Sequence, residues 1–179
     1  MCQIKTLLYY EEMESVIGPL TIIATENGIC RLDFGSMEDN LPSLRSWMAK
    51  HFIKGELIHS PEYLADAVQQ LKDYFAGSLH EFNIRFDLFG TAFQKKVWNQ
   101  LTTIPYGLTC SYKEVAQGIG APKAVRAVGS ANNQNPVPVF IPCHRVIGSN
   151  GALVGYGGGL DKKEVLLSIE QNSYKKKTS

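Results

Sequence analysis

The segment SYKEVAQGIGAPKAVRAVGSAN, residues 111–132, decides how the second half of this 179-residue chain is read. Ser111 stands just before an apolar-periodic run and Glu114 follows three residues later, a reciprocal capping pair that starts a helix. That helix is predicted to run to about Ile119. Gly120-Ala121-Pro122 then forms a tight turn, and Pro122 suits the first position of a second helix over residues 122–132. Two short helices joined by a glycine-containing turn fit either a helix-turn-helix or a plain helical hairpin. At ~100° per residue, Ala124, Val125, Ala127, Val128 and Ala131 gather on one side of the second helix. Lys123, Arg126, Gly129 and Ser130 gather on the other. One long cation among small residues makes a face that can come very close to a backbone or groove.

Upstream, Phe93, Val97 and Leu101 mark a helix over residues 91–103, broken by Ile104-Pro105-Tyr106-Gly107. Downstream, Asn135 is held out of the helical region by Pro136. Pro136 and Pro138 stiffen the approach to Ile141-Pro142-Cys143-His144-Arg145-Val146-Ile147. A thiol reacts as its thiolate, and a neighbouring imidazole commonly generates one. By itself, Cys143-His144 also describes a buried thiol beside a surface histidine. Gly148-Ser149-Asn150-Gly151 reads as a turn and residues 155–159 as a flexible loop. A last helix is predicted over 160–169, with Leu166, Ile169 and Leu160 inward, followed by a disordered lysine-rich tail over 173–179.

The first half is plainer. Strands are predicted over residues 7–10, 20–25 and 29–34, the last two joined at Glu26-Asn27-Gly28, a strong hairpin signal. Helices are predicted over 41–52, with Pro42 near its first turn, and over 61–75. Residues 82–86 read as one more strand. The fold class is therefore α+β: a small N-terminal sheet-plus-helices domain over 1–88, then a mostly helical domain over 89–172. Residues 1–90 hold 7 Lys/Arg and 13 Asp/Glu, net −6, whereas residues 91–179 hold 11 and 4, net +7. A basic half suggests a polyanionic partner. Cys2, Cys30, Cys110 and Cys143 form no CxxC pair, which suits reduced thiols in the cytoplasm. No basic-then-apolar leader opens the chain and no apolar run nears the ~20 residues that span a bilayer.

The ordered segments of residues 88–171 resemble the O6-alkylguanine-DNA alkyltransferases. The resemblance rests on Thr91-Ala92-Phe93-Gln94 with Val97-Trp98, on Ile104-Pro105-Tyr106-Gly107 to Ser111-Tyr112, and on Pro122-Lys123-Ala124-Val125-Arg126-Ala127-Val128-Gly129. It continues through Asn135-Pro136-Val137-Pro138, Ile141-Pro142-Cys143-His144-Arg145-Val146, and Tyr156 with Gly158-Gly159-Leu160 to Glu170. The N-terminal half is similar only in length and hairpin content to that family's ribonuclease H-like domain. The resemblance implies that Cys143 accepts an alkyl group, mainly methyl, from O6 of guanine in DNA. It leaves O4-alkylthymine open as a second lesion. It implies a Cys143–His144–Glu170 relay with a water between thiol and imidazole, and a proton for the purine N3 from the Tyr112 hydroxyl. Pleat alternation in an extended segment separates Cys143 from His144 and favours that water.

The same resemblance implies that Asn135 ties the active-site segment to the helical pair; an Asx-turn before proline is the other reading. It makes Arg126 the finger that fills the stack when a base is everted. Lys123, Gly129 and Ser130 lie on a face against the minor groove of double-stranded DNA, with little sequence discrimination. Carbonyls of Cys143 and Val146 would hold the guanine amino group, and Pro138, Tyr156 and Gly157 would shape the pocket. Gly157 stands where some relatives carry Ser, so groups bulkier than methyl should fit. Arg145 reads as an internal salt bridge or a phosphate contact, and Glu170 taken alone as a solvated carboxylate. A thioether is a poor leaving group, so one turnover per molecule is expected, from a monomer with no cofactor. Cys2, Cys30 and His80 lack zinc-site spacing, so no metal is expected. Three other readings fit parts of the chain. A non-catalytic lesion binder would lack Cys143. A major-groove regulator would want longer side chains than Gly129 and Ser130. A cysteine hydrolase would leave Arg126 unexplained.

Overall fold

A computed structural model describes residues 6–51 and 53–178. It divides into two compact units, Met1–Phe89 and Gly90–Ser179. The arrangement is α+β, with a four-stranded sheet in the first unit and helices dominating the second, which adds one two-stranded pair.

The first unit is a four-stranded sheet in the order β3-β2-β1-β4. Strands β1 (Thr6–Met13), β2 (Leu20–Thr25) and β3 (Gly28–Phe34) form an antiparallel meander, and β4 (Gly55–His59) runs parallel to β1. Every residue of β2 is buried, as in a strand covered on both faces. Helix α1 (Met37–Lys50) covers the face made by Leu8, Ile23 and Cys30, adding Met37 and Leu44 to that cluster. Helix α2 (Pro61–Phe75) packs against β1 and buries Leu64, Ala67, Leu71 and Tyr74. The hairpin turn needs Gly28, because a Cβ there would run into the Arg85 carbonyl.

Two expectations for this unit are corrected. Helix α1 begins at Met37, because Ser36 and Asp39 form a capping box ahead of Pro42. The proline therefore lies inside the helix, and the predicted end at Phe52 falls outside the described residues. Residues 82–86 form no strand and contribute only an isolated bridge between Ile29 and Phe86. The fourth strand is instead β4, at the opposite edge beside β1, whose mostly exposed residues carry little apolar alternation.

In the second unit α3 (Ala92–Leu101), α4 (Tyr112–Gly118) and α5 (Val125–Asn133) pack on one another. Capping boxes at Thr91/Gln94 and Ser111/Glu114 start α3 and α4. Trp98 is the buried hub, its Nε1 donating to the Ala131 carbonyl at 2.8 Å. Strand β5 (Cys110–Ser111) pairs in parallel with β6 (Val146–Ile147), which sets the start of α4 beside the Cys143 segment. Helix α5 begins at Val125, not Pro122: the proline sits in the turn, and Ala127 is exposed. Helix α6 (Leu160–Thr178) runs through the stretch expected to be a disordered tail. The inward face of α6 is Lys163, Leu166, Leu167 and Glu170, not Leu160 and Ile169. No helix among the described residues is long and apolar enough to cross a membrane.

Candidate active site

The segment leading to Cys143 is rigid. Asn135 closes an Asx-turn, its Oδ1 accepting from Val137 N at 3.1 Å, while its Nδ2 donates to the Ile141 carbonyl at 2.8 Å. The clamp spans Val139, a buried β-branched residue at φ 73°, which is a strained conformation. Cys143 follows, 4 % exposed, with its N–H on the Ile141 carbonyl. The segment is not extended here. Cys143–Arg145 forms a single 3-10 turn, so pleat alternation does not separate Cys143 from His144.

His144, Arg145 and Glu170 form one buried network. His144 Nε2 lies 2.7 Å from Glu170 Oε1, and the Arg145 guanidinium donates to both Glu170 oxygens and to the Ile104 carbonyl. Gly107 N–H donates to Glu170 Oε2 at 3.0 Å. Glu170 is thus an interior carboxylate, not a solvated one, and Arg145 is a structural ion pair. Burial alone would raise the Glu170 carboxyl, but the hydrogen bonds and charges of His144 and Arg145 hold it at about 2. Burial lowers His144, against the pull of Glu170, and so favours the uncharged imidazole. Burial pushes the Cys143 thiol up to about 11, opposed by a hydrogen bond from Asn135 and the charge of Lys163. The resting nucleophile is therefore a thiol, and its proton must leave during the reaction.

Tyr112, on the first turn of α4, sits close enough to Cys143 to feel its charge; burial and then Cys143 raise its hydroxyl. That hydroxyl donates to the carbonyls of Val154 and Gly155, at 3.0 and 3.4 Å. Tyr156 is buried and, like Tyr112, pushed up by burial and then by Cys143. Val146 and Pro138 are buried beside the nucleophile's segment. Gly157 is exposed, and a Cβ built on it would meet only the Asn133 carbonyl, at 3.6 Å. Lys123, Arg126 and Ser130 are exposed on α5 and the turn before it, apart from this cluster. Gly129 is half-buried with the Tyr112 ring 3.8 Å from where its Cβ would be.

Two residues escaped the reading of the sequence. Lys163 is fully buried, its Nζ donating to the carbonyls of Val146 at 2.6 Å and Val154 at 2.9 Å. Asn132 is buried on α5 and donates to the Cys143 carbonyl at 3.4 Å. The signal for Lys163 was its spacing: three, four and seven residues before Leu166, Leu167 and Glu170, it lies on their helix face. Cys30, by contrast, is a packing thiol, donating to the Ile23 carbonyl and pushed up by burial to about 12. Cys2 lies outside the described residues, and among those described no group of three or more His, Cys, Asp or Glu could hold a metal ion.

Two family models match the chain in succession. The 6-O-methylguanine DNA methyltransferase ribonuclease-like domain covers residues 8–88, and the DNA binding domain of the same family covers 92–172. The chain is 45% identical over 166 residues to the methylated-DNA–protein-cysteine methyltransferase of Methanosarcina barkeri, covering 93% of this chain and 99% of that one. It is 46% identical over 170 residues to the constitutive enzyme of that name from Bacillus subtilis, covering 94% and 99%. The crystal structure of O6-methylguanine methyltransferase from Mycobacterium tuberculosis aligns with a TM-score of 0.80 at 43% identity, over 93% of this chain and 94% of that one. Mycobacterium tuberculosis OGT in complex with DNA aligns with a TM-score of 0.78 at 43% identity, over 92% and 94%.

Proposed function

The chain belongs to the 6-O-methylguanine DNA methyltransferase family, and from that premise we infer that it repairs DNA by moving the alkyl group of O6-alkylguanine onto its own Cys143. The observation that carries this reading is the position of Cys143: buried on a one-turn helix, beside a buried histidine held at 2.7 Å by a buried carboxylate.

The chemistry follows from these groups. The thiol proton passes through a water to His144, and Glu170 fixes the ring that receives it. The sulfur attacks the alkyl carbon, the S–C bond forms, and the C–O6 bond breaks with its electron pair on oxygen. The purine becomes a good leaving group as the Tyr112 hydroxyl gives N3 a proton, exchanging its loop carbonyls for the base. Asn135 keeps the sulfur in place. The carbonyls of Cys143 and Val146 take the guanine amino group, and Pro138, Tyr156 and Gly157 bound the pocket. The product thioether neither titrates nor leaves, so each molecule acts once. The added carbon also crowds a buried site and lowers the stability of the spent protein.

The target base reaches Cys143 only by eversion from the duplex. Helices α4 and α5 act as a helix-turn-helix whose second member lies in the minor groove. Arg126 enters the stack, while Lys123, Ser130 and Gly129 let the backbone approach closely. A face of one arginine and small side chains reads little sequence, which suits damage found in any context. The protein works as a monomer in the cytoplasm, without a cofactor. Incubation with a duplex carrying O6-[methyl-3H]methylguanine tests the reading. Label is expected on the peptide containing Cys143, and label elsewhere, or none on protein, would refute it.

A further inference from the structure

We propose that Asn132 is a positioning residue for the alkyl transfer: its side-chain carbonyl accepts a hydrogen bond from the water that carries the thiol proton to His144. The proposal rests on the relay described above and adds a member to it. Asn132 is 1 % exposed on α5, the helix that also carries Arg126. Its Nδ2 donates to the carbonyl of Cys143 at 3.4 Å, which holds the amide against the nucleophile's own backbone. That Oδ1 is buried and has no hydrogen-bond partner among the described residues.

An amide oxygen taken out of water without a donor is costly, and an apolar side chain of the same shape would avoid the cost. The side-chain nitrogens around it hold partners elsewhere. Asn135 Nδ2 is on Ile141, Lys163 Nζ on Val146 and Val154, Arg145 on Glu170 and Ile104, and Trp98 Nε1 on Ala131. The donor that fits is a water, and a buried water requires about three polar partners. The Cys143 thiol, the His144 ring and Asn132 Oδ1 supply three. With one O–H on Asn132 and the other on the imidazole, the water keeps a lone pair for the S–H. The thiol proton moves to the water as the water's own proton moves to the ring, and the electron pair stays on sulfur.

The test is the Asn132→Leu variant, with Asn132→Met as a second apolar replacement should Leu disturb folding. Thermal unfolding identifies which of them is folded. Both keep the titratable and charged groups around the thiol: His144, Lys163, Tyr112, Tyr156 and, behind His144, Glu170 and Arg145. Without DNA, the rate of iodoacetamide reaction at Cys143, followed on its peptide, is measured against pH. The expected result is a profile displaced to higher pH by about one unit, with alkyl transfer at neutral pH about tenfold slower and DNA affinity unchanged. A profile that superimposes on the wild type overturns the proposal. So does a variant slowed only with DNA, because the amide would then serve the base and not the water. Wild-type transfer to Cys143, run alongside, separates failure of this role from failure of the alkyl-transfer reading.

Discussion

The two units bury different things. In the N-terminal unit the interior is a sheet face and helix stripes of Leu, Ile and Met, and among the described residues its buried polar side chains are the threonines Thr21 and Thr25. In the C-terminal unit the interior holds Asn132, His144, Arg145, Lys163 and Glu170 around a buried thiol. Apolar burial stabilises in proportion to area, whereas a buried charge returns its desolvation cost only if every partner is in place. One unit is thus built like a scaffold. The other holds an expensive interior of paired polar and charged groups around a thiol, the interior that the proposed transfer would use.

The largest expected difference lies in the ion pairs. Glu170→Gln removes the charge opposite Arg145 and the orienting partner of His144, so it should destabilise the protein by about 3–5 kcal/mol and nearly abolish transfer. The comparable change in the first unit, Glu11→Gln, breaks a half-exposed pair with His59 at 3.2 Å and should cost under about 1 kcal/mol. Chemical denaturation of both variants checks the contrast, and equal losses would break it. The pH dependence sharpens it. Glu170 is depressed to about 2, so its stabilisation is complete above the unfolded carboxylate value near 4.5 and is lost as pH falls from there toward 2. Wild-type protein should weaken across that window, and the Gln variant should show a flatter profile.

A core deletion in the scaffold should behave in the opposite way. Leu71→Ala, at a fully buried position of α2, should cost about 2–5 kcal/mol while leaving the transfer rate of the folded fraction unchanged. Arg126→Ala should leave stability alone. If the finger offsets about 1–3 kcal/mol of the cost of eversion, its loss slows repair of duplex DNA about ten- to a hundredfold. A single-stranded substrate, measured in parallel, should be affected less. The smallest effect is expected at Gly157, where the open space accepts a serine. Transfer from O6-butylguanine DNA should be faster in the wild type than in Gly157→Ser, and an equal or slower wild-type rate would remove Gly157 from the determinants of pocket size.

The same contrast explains what could be read in advance. Local rules are carried by neighbours in sequence, so the Ser111/Glu114 capping box, the β2–β3 hairpin and the α2 stripe were legible. The family was legible at Pro142-Cys143-His144-Arg145 because its residue types are rare together, and the expected neighbour Glu170 does lie against His144. Edge strand β4 was not, since its pairing with β1 gives no alternation in its own sequence. Lys163 was not either: Asp161-Lys162-Lys163-Glu164 reads as a solvated charge run until the carbonyls of Val146 and Val154 are seen on its ammonium. Asn132 reads as a polar residue near a helix end until α5 is packed against Cys143. The 3-10 turn at Cys143 follows from the clamp of Asn135 on Ile141, a contact across a loop that no periodicity announces.

The central claim is that the sulfur of Cys143 is consumed as it repairs. Titrating a fixed amount of protein with excess O6-methylguanine duplex, and counting methyl groups transferred, tests it most directly. Transfer should stop at one methyl per chain, all of it as S-methylcysteine at position 143, with none in Cys143→Ala. Continued removal of the lesion beyond that equivalence, or removal by the alanine variant, would contradict it.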